Sequence, residues 1–216
     1  RQRQMCIRDR LGNGDTSDTI HTPSSNVELP EGRAATDLSV GDHHSCALLD
    51  NGSVTCWGLN NFGQLGDNTT TNRRIPVYAH LPTGSQAISV SVGPHSSCAI
   101  LENSSVYCWG HNNYGRLGIG VTGGIYQLPM FVEGATDVVD LSLDYDHTCA
   151  LSENGSISCW GRSKYGPLGI GPSGDINTPQ LVDYNIAPFA SMSGPAPQGD
   201  WEDESGLRGR LLTSEN

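Results

Sequence analysis

The chain has little positive charge. Only one of its 216 residues is a lysine, Lys164, and its 12 basic residues face 23 acidic ones, which gives a formal net charge of −11. A surface of this sign repels the phosphate backbones of DNA and RNA, so we expect no nucleic-acid partner.

Long apolar runs are also missing. No window approaches 18 consecutive apolar residues, so the sequence predicts no membrane-spanning segment. The first ten residues, RQRQMCIRDR, lack the apolar core of a signal peptide and do not continue the pattern that begins at Leu11. We therefore treat residues 1–10 as a non-native leader and leave them out of the fold prediction.

The sequence also lacks a sustained 3.6-residue apolar period, and this lack argues against long amphipathic helices. The chain is instead rich in turn-forming residues, with 27 glycines and 12 prolines. Many turns and short segments are typical of an all-β architecture.

An internal repeat organises most of the chain. Three tryptophans mark its period, which is 52 and then 51 residues: Trp57, Trp109 and Trp160. Each lies in a hairpin module followed by Leu-Gly and, further on, by a proline; the modules lie near 41–66, 93–118 and 144–169. About four short strands per period of this length predict a β-propeller, because one such unit cannot bury both of its faces alone. The tryptophans are then expected to wedge between blades.

Six cysteines form three pairs with identical spacing. They are Cys46 and Cys56, Cys98 and Cys108, and Cys149 and Cys159. Each pair straddles a predicted turn such as Asp50-Asn51-Gly52, which places the two cysteines opposite each other on adjacent strands, within disulfide range. Reduced core thiols and zinc ligands are the alternatives, although the spacing lacks the short knuckle that structural zinc sites prefer. Disulfides would indicate an oxidising compartment.

The repeated motif resembles the regulator of chromosome condensation repeat. The resemblance rests on the pattern His/Ser-Ser/Thr-Cys-Ala-Leu/Ile-Leu, then Asn-Gly-x-Val/Ile-x-Cys-Trp-Gly-x-Asn-x-Phe/Tyr-Gly-x-Leu-Gly, and it covers about residues 11–183. It implies a partial propeller of about three and a half blades out of an expected seven, in a chain that is a piece of a longer protein. Residues 184–216 are expected to hold a degenerate strand and a disordered acidic tail.

The resemblance also implies structural roles within each repeat. His44 and His147 match the position of an internal hydrogen-bonding element. The glycine after each tryptophan belongs to the same structural set: Gly58, Gly110 and Gly161.

Catalytic and cofactor motifs do not emerge from the remaining residues. A histidine that recurs per repeat, as His43, His44, His95 and His147 do, is more typical of structure than of catalysis. The acidic loops after Leu-Gly lack the order of an EF-hand, and Leu-Gly-x-Gly lacks the Gly-Lys-Ser/Thr of a phosphate loop. The sequence predicts no enzyme activity and no cofactor, and it identifies no ligand-binding residue.

Four Asn-x-Ser/Thr triplets are formal N-glycosylation acceptors, at Asn51, Asn68, Asn103 and Asn154. Three of the four coincide with hairpin turns that favour Asn in any case. Their interpretation as turn residues is therefore the favoured one.

The loops differ between repeats while the hairpins stay constant, which favours a scaffold that recognises a partner through its loops. Secreted relatives of the beta-lactamase inhibitor protein II type are a precedent for protein binding by this repeat. We therefore expect a non-enzymatic scaffold, extracellular or at the cell surface, that binds another protein or a cell-surface polymer. The alternatives are an exchange-factor-like regulator of a small GTPase and a binding appendage of a larger secreted enzyme.

Overall fold

The computed structural model describes Gly12, residues 26–164, 167–170 and 174–182, and the backbone of Asp200–Glu202 and Arg208–Arg210. Predictions for residues 1–10, for the partial repeat around Leu11 and Pro23, and for most of 184–216 lie outside the described residues.

Twelve strands form three four-stranded antiparallel sheets, each with its strands in sequence order. Blade 1 contains β1 (Ala35–Val40), β2 (His44–Leu49), β3 (Val54–Gly58) and β4 (Arg73–Tyr78). Blade 2 contains β5 (Ala87–Val92), β6 (Ser96–Leu101), β7 (Val106–His111) and β8 (Ile125–Phe131), with a short 3-10 helix at Asn113–Gly115. Blade 3 contains β9 (Val138–Leu143), β10 (His147–Ser152), β11 (Ile157–Gly161) and β12 (Ile176–Leu181). The prediction of an all-β partial propeller is confirmed.

Apolar residues of neighbouring blades meet to form the core. Between blades 1 and 2, Leu65 packs in one cluster with Trp109, and between blades 2 and 3 Leu117 packs with Trp160. All four side chains are fully buried. The second strands of blades 1 and 2, β2 and β6, are buried along their whole length instead of alternating.

Proline recurs in the outermost strand of every blade. Pro76, Pro129 and Pro179 lie in β4, β8 and β12, each of which pairs with one strand only. Because proline has no N–H to donate, it interrupts the row of free backbone groups at an edge and discourages pairing with another chain. The repeated proline thus protects the rim of the propeller.

The antiparallel order gives blades two distinct ends. The first-to-second and third-to-fourth strand connections lie at one end, which we call the loop face. The tight turns between the second and third strands lie at the other, which we call the hairpin face. In blade 1, for example, residues 41–43 and 59–72 belong to the loop face and residues 50–53 to the hairpin face.

A second unit pairs β13 (Asp200–Glu202) with β14 (Arg208–Arg210) as a short antiparallel ladder. The described residues include no helix long and apolar enough to cross a membrane.

Candidate interaction face

The tryptophans predicted as wedges tie adjacent blades together through one backbone carbonyl. The indole Nε1 of Trp109 donates to the carbonyl oxygen of Gln64 at 2.9 Å, and that of Trp160 donates to the carbonyl oxygen of Arg116 at 2.8 Å. Each carbonyl also accepts a hydrogen bond from a hydroxyl of the next blade. Ser97 donates to Gln64 at 2.8 Å, and Thr148 donates to Arg116 at 2.9 Å. The tryptophan therefore closes the seam between blades with a buried, fully paired indole.

The glycines of three Leu-Gly pairs make room for the tryptophan of the following repeat. A Cβ on Gly66 would lie 2.9 Å from Trp109 Nε1, and one on Gly118 would lie 2.6 Å from Trp160 Nε1. Gly12 is placed in the same way against Trp57, at 2.8 Å. At Gly169 the nearest side chain is instead that of Val182, 3.0 Å from the Cβ position.

The glycines after the tryptophans have a different role. Gly58, Gly110 and Gly161 have φ of +112°, +107° and +112°, and a Cβ there would lie 2.4–2.6 Å from a carbonyl oxygen of the loop before the second strand. Only glycine fits this backbone without strain.

The two cysteines of each predicted pair form a disulfide. Cys46 is opposite Cys56 in the ladder, and the other two pairs have the same register. The Cα atoms of all three pairs lie 4.1 Å apart. The bridges thus staple the two middle strands of every blade.

His44 and Ser97 form a hydrogen-bonded serine–histidine pair between blades 1 and 2. His44 Nε2 lies 2.7 Å from Ser97 Oγ, but Ser97 donates its proton to the Gln64 carbonyl and both residues are buried. Burial, reinforced by His95 and His43, lowers the pKa of His44 to about 3. A base this weak beside an inaccessible hydroxyl is a structural link between blades rather than a nucleophile and its general base.

His147 occupies the position of His44 in blade 3 but is half-buried, with Nδ1 3.8 Å from Asp144 Oδ2. Blade 2 has Ser96 at this position. The three equivalent positions therefore carry different contacts.

Five rings meet on the loop face, and we call them the ring cluster: His43, Phe62, His95, His111 and Tyr145. Phe62 stacks on His111 with centroids 4.4 Å apart, and His95 lies 5.5 Å from His43. Tyr145 meets His95 edge-on at 5.4 Å and is 51% exposed, whereas the other four are partly buried. The cluster joins residues from all three blades.

Two imidazoles of the ring cluster have lowered pKa values. Burial, followed by the charge of Arg116, lowers the pKa of His95 to about 4 and also lowers the pKa of His111. These two rings are therefore neutral at physiological pH.

At the next seam, the same positions carry charge. Arg162 takes the place of His111 and lies over the ring of Tyr114 at 4.5 Å, as His111 stacks on Phe62. Arg162 also pairs with Asp146 at 2.8 Å. The hydrogen bond to Asp146 is the leading cause of the raised pKa of Arg162.

Arg116 anchors the loop that carries Tyr145. Its side chain is 3% exposed, its Nη1 donates to the Tyr145 carbonyl oxygen, and its Nη2 lies 3.5 Å from Asp146 Oδ1. Burial lowers the pKa of Arg116, and the nearby Asp146 carboxylate opposes this. Tyr145 is thus an exposed ring on a pinned backbone, an arrangement typical of residues that dominate protein interfaces.

Sequence reasoning identified the repeated residues but missed the ring cluster, Arg116 and Arg162. The variable positions of successive repeats carried the signal. Phe62 and Tyr114 meet their partners in the next blade only once the blades are stacked. Among the described residues, no group of three or more His, Cys, Asp or Glu side chains is arranged to hold a metal ion.

Comparison with known proteins agrees with this architecture. Two family profiles, both described as the regulator of chromosome condensation (RCC1) repeat, match residues 35–64, 87–116 and 138–166, and residues 51–100 and 103–151. The chain belongs to the family of RCC1-repeat proteins.

Its relatives are much longer proteins. Human E3 ubiquitin-protein ligase HERC2 is 29% identical over 177 residues, which cover 80% of this chain and 4% of HERC2. Among solved structures, human WBSCR16 has a TM-score of 0.68 at 23% identity, covering 75% of this chain and 44% of that one. Yeast RCC1 (Prp20) has a TM-score of 0.64 at 22% identity, covering 71% and 38%. The structural matches establish the fold.

Proposed function

We propose that this protein is a non-enzymatic, extracellular scaffold that binds another protein through its loop face. The ring cluster is the observation that carries the proposal. It places a partly exposed aromatic surface on the loops that differ between repeats, supported by hairpins that do not differ.

Three further observations support this function. The disulfides in all three blades are compatible with an oxidising compartment. Tyr145 has the exposure and the rigid support of an interface anchor. Yeast RCC1 has been crystallised bound to Kap60, so one protein with this fold binds a protein partner.

The test compares single substitutions on the two faces. Tyr145→Ala removes the exposed ring while keeping the backbone carbonyl that Arg116 binds, and Glu153→Ala changes an exposed residue of the hairpin face. Wild type and both variants are immobilised and used to capture secreted and cell-surface proteins of the host organism, with quantitative mass spectrometry as the readout. We expect the amount of captured partner to fall by about tenfold with Tyr145→Ala, as for an interface hot spot. With Glu153→Ala the amount should equal that captured by the wild type. Equal capture by all three proteins, or loss with Glu153→Ala alone, would contradict binding through the loop face.

A further inference from the structure

We propose that Asn68 carries an N-linked glycan that covers an uncharged groove on the rim of blade 2. The inference rests on the extracellular location in the proposed function, because the transfer of such a glycan takes place in the secretory pathway. It does not depend on which partner the loop face binds.

Asn68 differs from the other three acceptor asparagines in its surroundings. Asn51, Asn103 and Asn154 each accept, through Oδ1, the backbone N–H two residues later, at 3.2, 3.1 and 2.9 Å, and so close their hairpin turns. Asn68 lies on the loop between β3 and β4, is exposed, and lines a groove. Asn68 takes a left-handed backbone conformation, φ +61°, but lies outside the hairpin turns. Asn103 also lines a pocket, but that pocket contains the charged Glu102. Asn68 is therefore an acceptor beside an uncharged surface that a glycan could cover.

The acceptor triplet is presented on a fixed backbone. The Asn68 N–H donates to the Gln127 carbonyl oxygen at 3.1 Å, which ties the loop to blade 2. The side chain of Thr69, at the middle position, donates to Asp67 at 2.6 Å, whereas Thr70, which completes the triplet, is exposed. A glycan on Asn68 therefore starts from a defined point next to β8.

The groove beside Asn68 has a volume of about 290 Å³ and contains no formally charged side chain. Its remaining lining residues all come from one strand, β8: Ile125, Tyr126, Gln127, Leu128 and Met130. Ile125, Leu128 and Met130 are 48%, 40% and 39% exposed. These three side chains form an apolar strip beside Asn68.

The apolar strip is complete in blade 2. Relative to the recurring proline, the position of Ile125 is Asn72 in blade 1 and Asp175 in blade 3. Blade 1 keeps apolar side chains at the other two positions, and its Ile75, at the position of Leu128, is 47% exposed. Of the three described blades, blade 2 is therefore the one with apolar residues at all three positions.

A glycan fits this groove better than an added β-strand does. Pro129 lies in the middle of β8 and offers no N–H for pairing. A pyranose ring instead presents C–H faces, and its acetamido group presents a methyl, both of which pack on Ile, Leu and Met without placing a charge in the groove. The polar edges of the sugar stay in water, so the cover also solubilises the rim.

The covalent step is the ordinary transfer from a polyprenyl-diphosphate-linked oligosaccharide. The amide nitrogen Nδ2 of Asn68 bonds to C1 of the first sugar and loses one proton. The bond between C1 and the phosphate oxygen breaks, and its electron pair leaves with the polyprenyl diphosphate. No oxidant or reductant takes part.

The site is tested on the chain secreted from eukaryotic cells behind a cleaved signal peptide. Peptides that contain Asn68 are weighed before and after peptide N-glycosidase, which removes the glycan and leaves Asp. We expect glycan mass on Asn68 in the wild type and in Thr70→Ser, which keeps the acceptor triplet, and its complete loss in Thr70→Ala. A secreted protein with intact disulfides and an unmodified Asn68 overturns the proposal and leaves the proposed function standing.

The cover is tested with an apolar fluorescent dye, anilinonaphthalene sulfonate. We expect dye fluorescence to rise when the glycan is removed or when Thr70→Ala prevents its addition. Leu128→Ser, which removes apolar surface from the groove, should reduce this rise. If fluorescence is the same with and without the glycan, the proposal that the glycan covers the groove is overturned.

Discussion

Equivalent residues of successive repeats make the ring contact between adjacent blades with different chemistry. Phe62 and His111 close the loop-face end of the seam between blades 1 and 2 by neutral stacking at 4.4 Å. Tyr114 and Arg162 close the next seam by a cation–π contact at 4.5 Å. The ring contact at the first seam is therefore uncharged and the one at the next seam is charged, so the two seams differ on an otherwise repetitive surface.

Burial of His44 predicts a loss of stability in mild acid. The pKa of His44 is about 3 in the folded protein and 6.5 in the unfolded chain, where the ring is not buried. Between these pH values the unfolded state therefore binds more protons than the folded state. The stabilisation is complete above pH 6.5 and is lost as the pH falls from 6.5 towards 3. Between pH 7 and 5 we expect a loss of about 2 kcal/mol from His44, measured as the free energy of urea unfolding.

Two variants isolate this contribution. His44→Asn removes one titrating group and should reduce the loss of stability between pH 7 and 5 by about 2 kcal/mol, and the part that comes from His95 and His111 should remain. His80→Gln changes an exposed histidine and should leave it as in the wild type. A wild-type unfolding free energy that is constant from pH 7 to 5 would contradict a neutral, buried His44.

At the scale of the strand and turn, the Leu-Gly pair sets the spacing between blades. Gly118 has φ +72°, and a Cβ there would lie 2.6 Å from Trp160 Nε1. Gly120, two residues later, has φ +82° with nothing within 4 Å of its Cβ position. The two glycines share a backbone conformation and differ in their surroundings.

This contrast predicts unequal effects of the same substitution. Gly120→Ala should cost about 1 kcal/mol, the strain of a left-handed alanine. Gly118→Ala should cost that strain plus about 1–3 kcal/mol for displacing the buried indole. Urea denaturation measures both, and tryptophan fluorescence should change only in Gly118→Ala. Similar losses in the two variants would show that Gly118 does not set the blade spacing.

The hairpins could be predicted from the sequence because their determinants are local. The turn Asp50-Asn51-Gly52, with Gly52 at φ +74°, fixes the register that places Cys46 opposite Cys56. The recurring period then places the same cysteine register in blades 2 and 3. Local turn chemistry and a recurring period are thus sufficient for the elements.

The ring cluster and the Arg116 anchor could not be predicted because they depend on contacts between repeats. Arg116 and Gln64 occupy equivalent positions of successive repeats. The Arg116 side chain nevertheless contacts Tyr145 and Asp146 of the following blade. Which loop residue meets which neighbour follows from the stacking angle of the blades, and the period alone does not encode it. Exposed loops also carry no periodic pattern from which a side-chain direction can be inferred.

At the scale of the whole molecule, two features stabilise the blades: an apolar core between neighbouring blades and one disulfide within each blade. The core lies between sheets, so each blade depends on its neighbours, whereas the disulfide lies within a blade. A bridge that closes such a short loop contributes about 2–3 kcal/mol by restricting the unfolded chain. This arrangement suits a scaffold that keeps its loops in place outside the cell, where disulfides persist.

Peptide mapping of the unreduced protein tests the central claim, a disulfide-stapled extracellular scaffold, most directly. The protein is isolated from its natural source, alkylated without reductant, digested and analysed by mass spectrometry. The account predicts three linked peptide pairs, joining Cys46 to Cys56, Cys98 to Cys108 and Cys149 to Cys159. Alkylated free thiols at these six positions would contradict it and would favour an intracellular role.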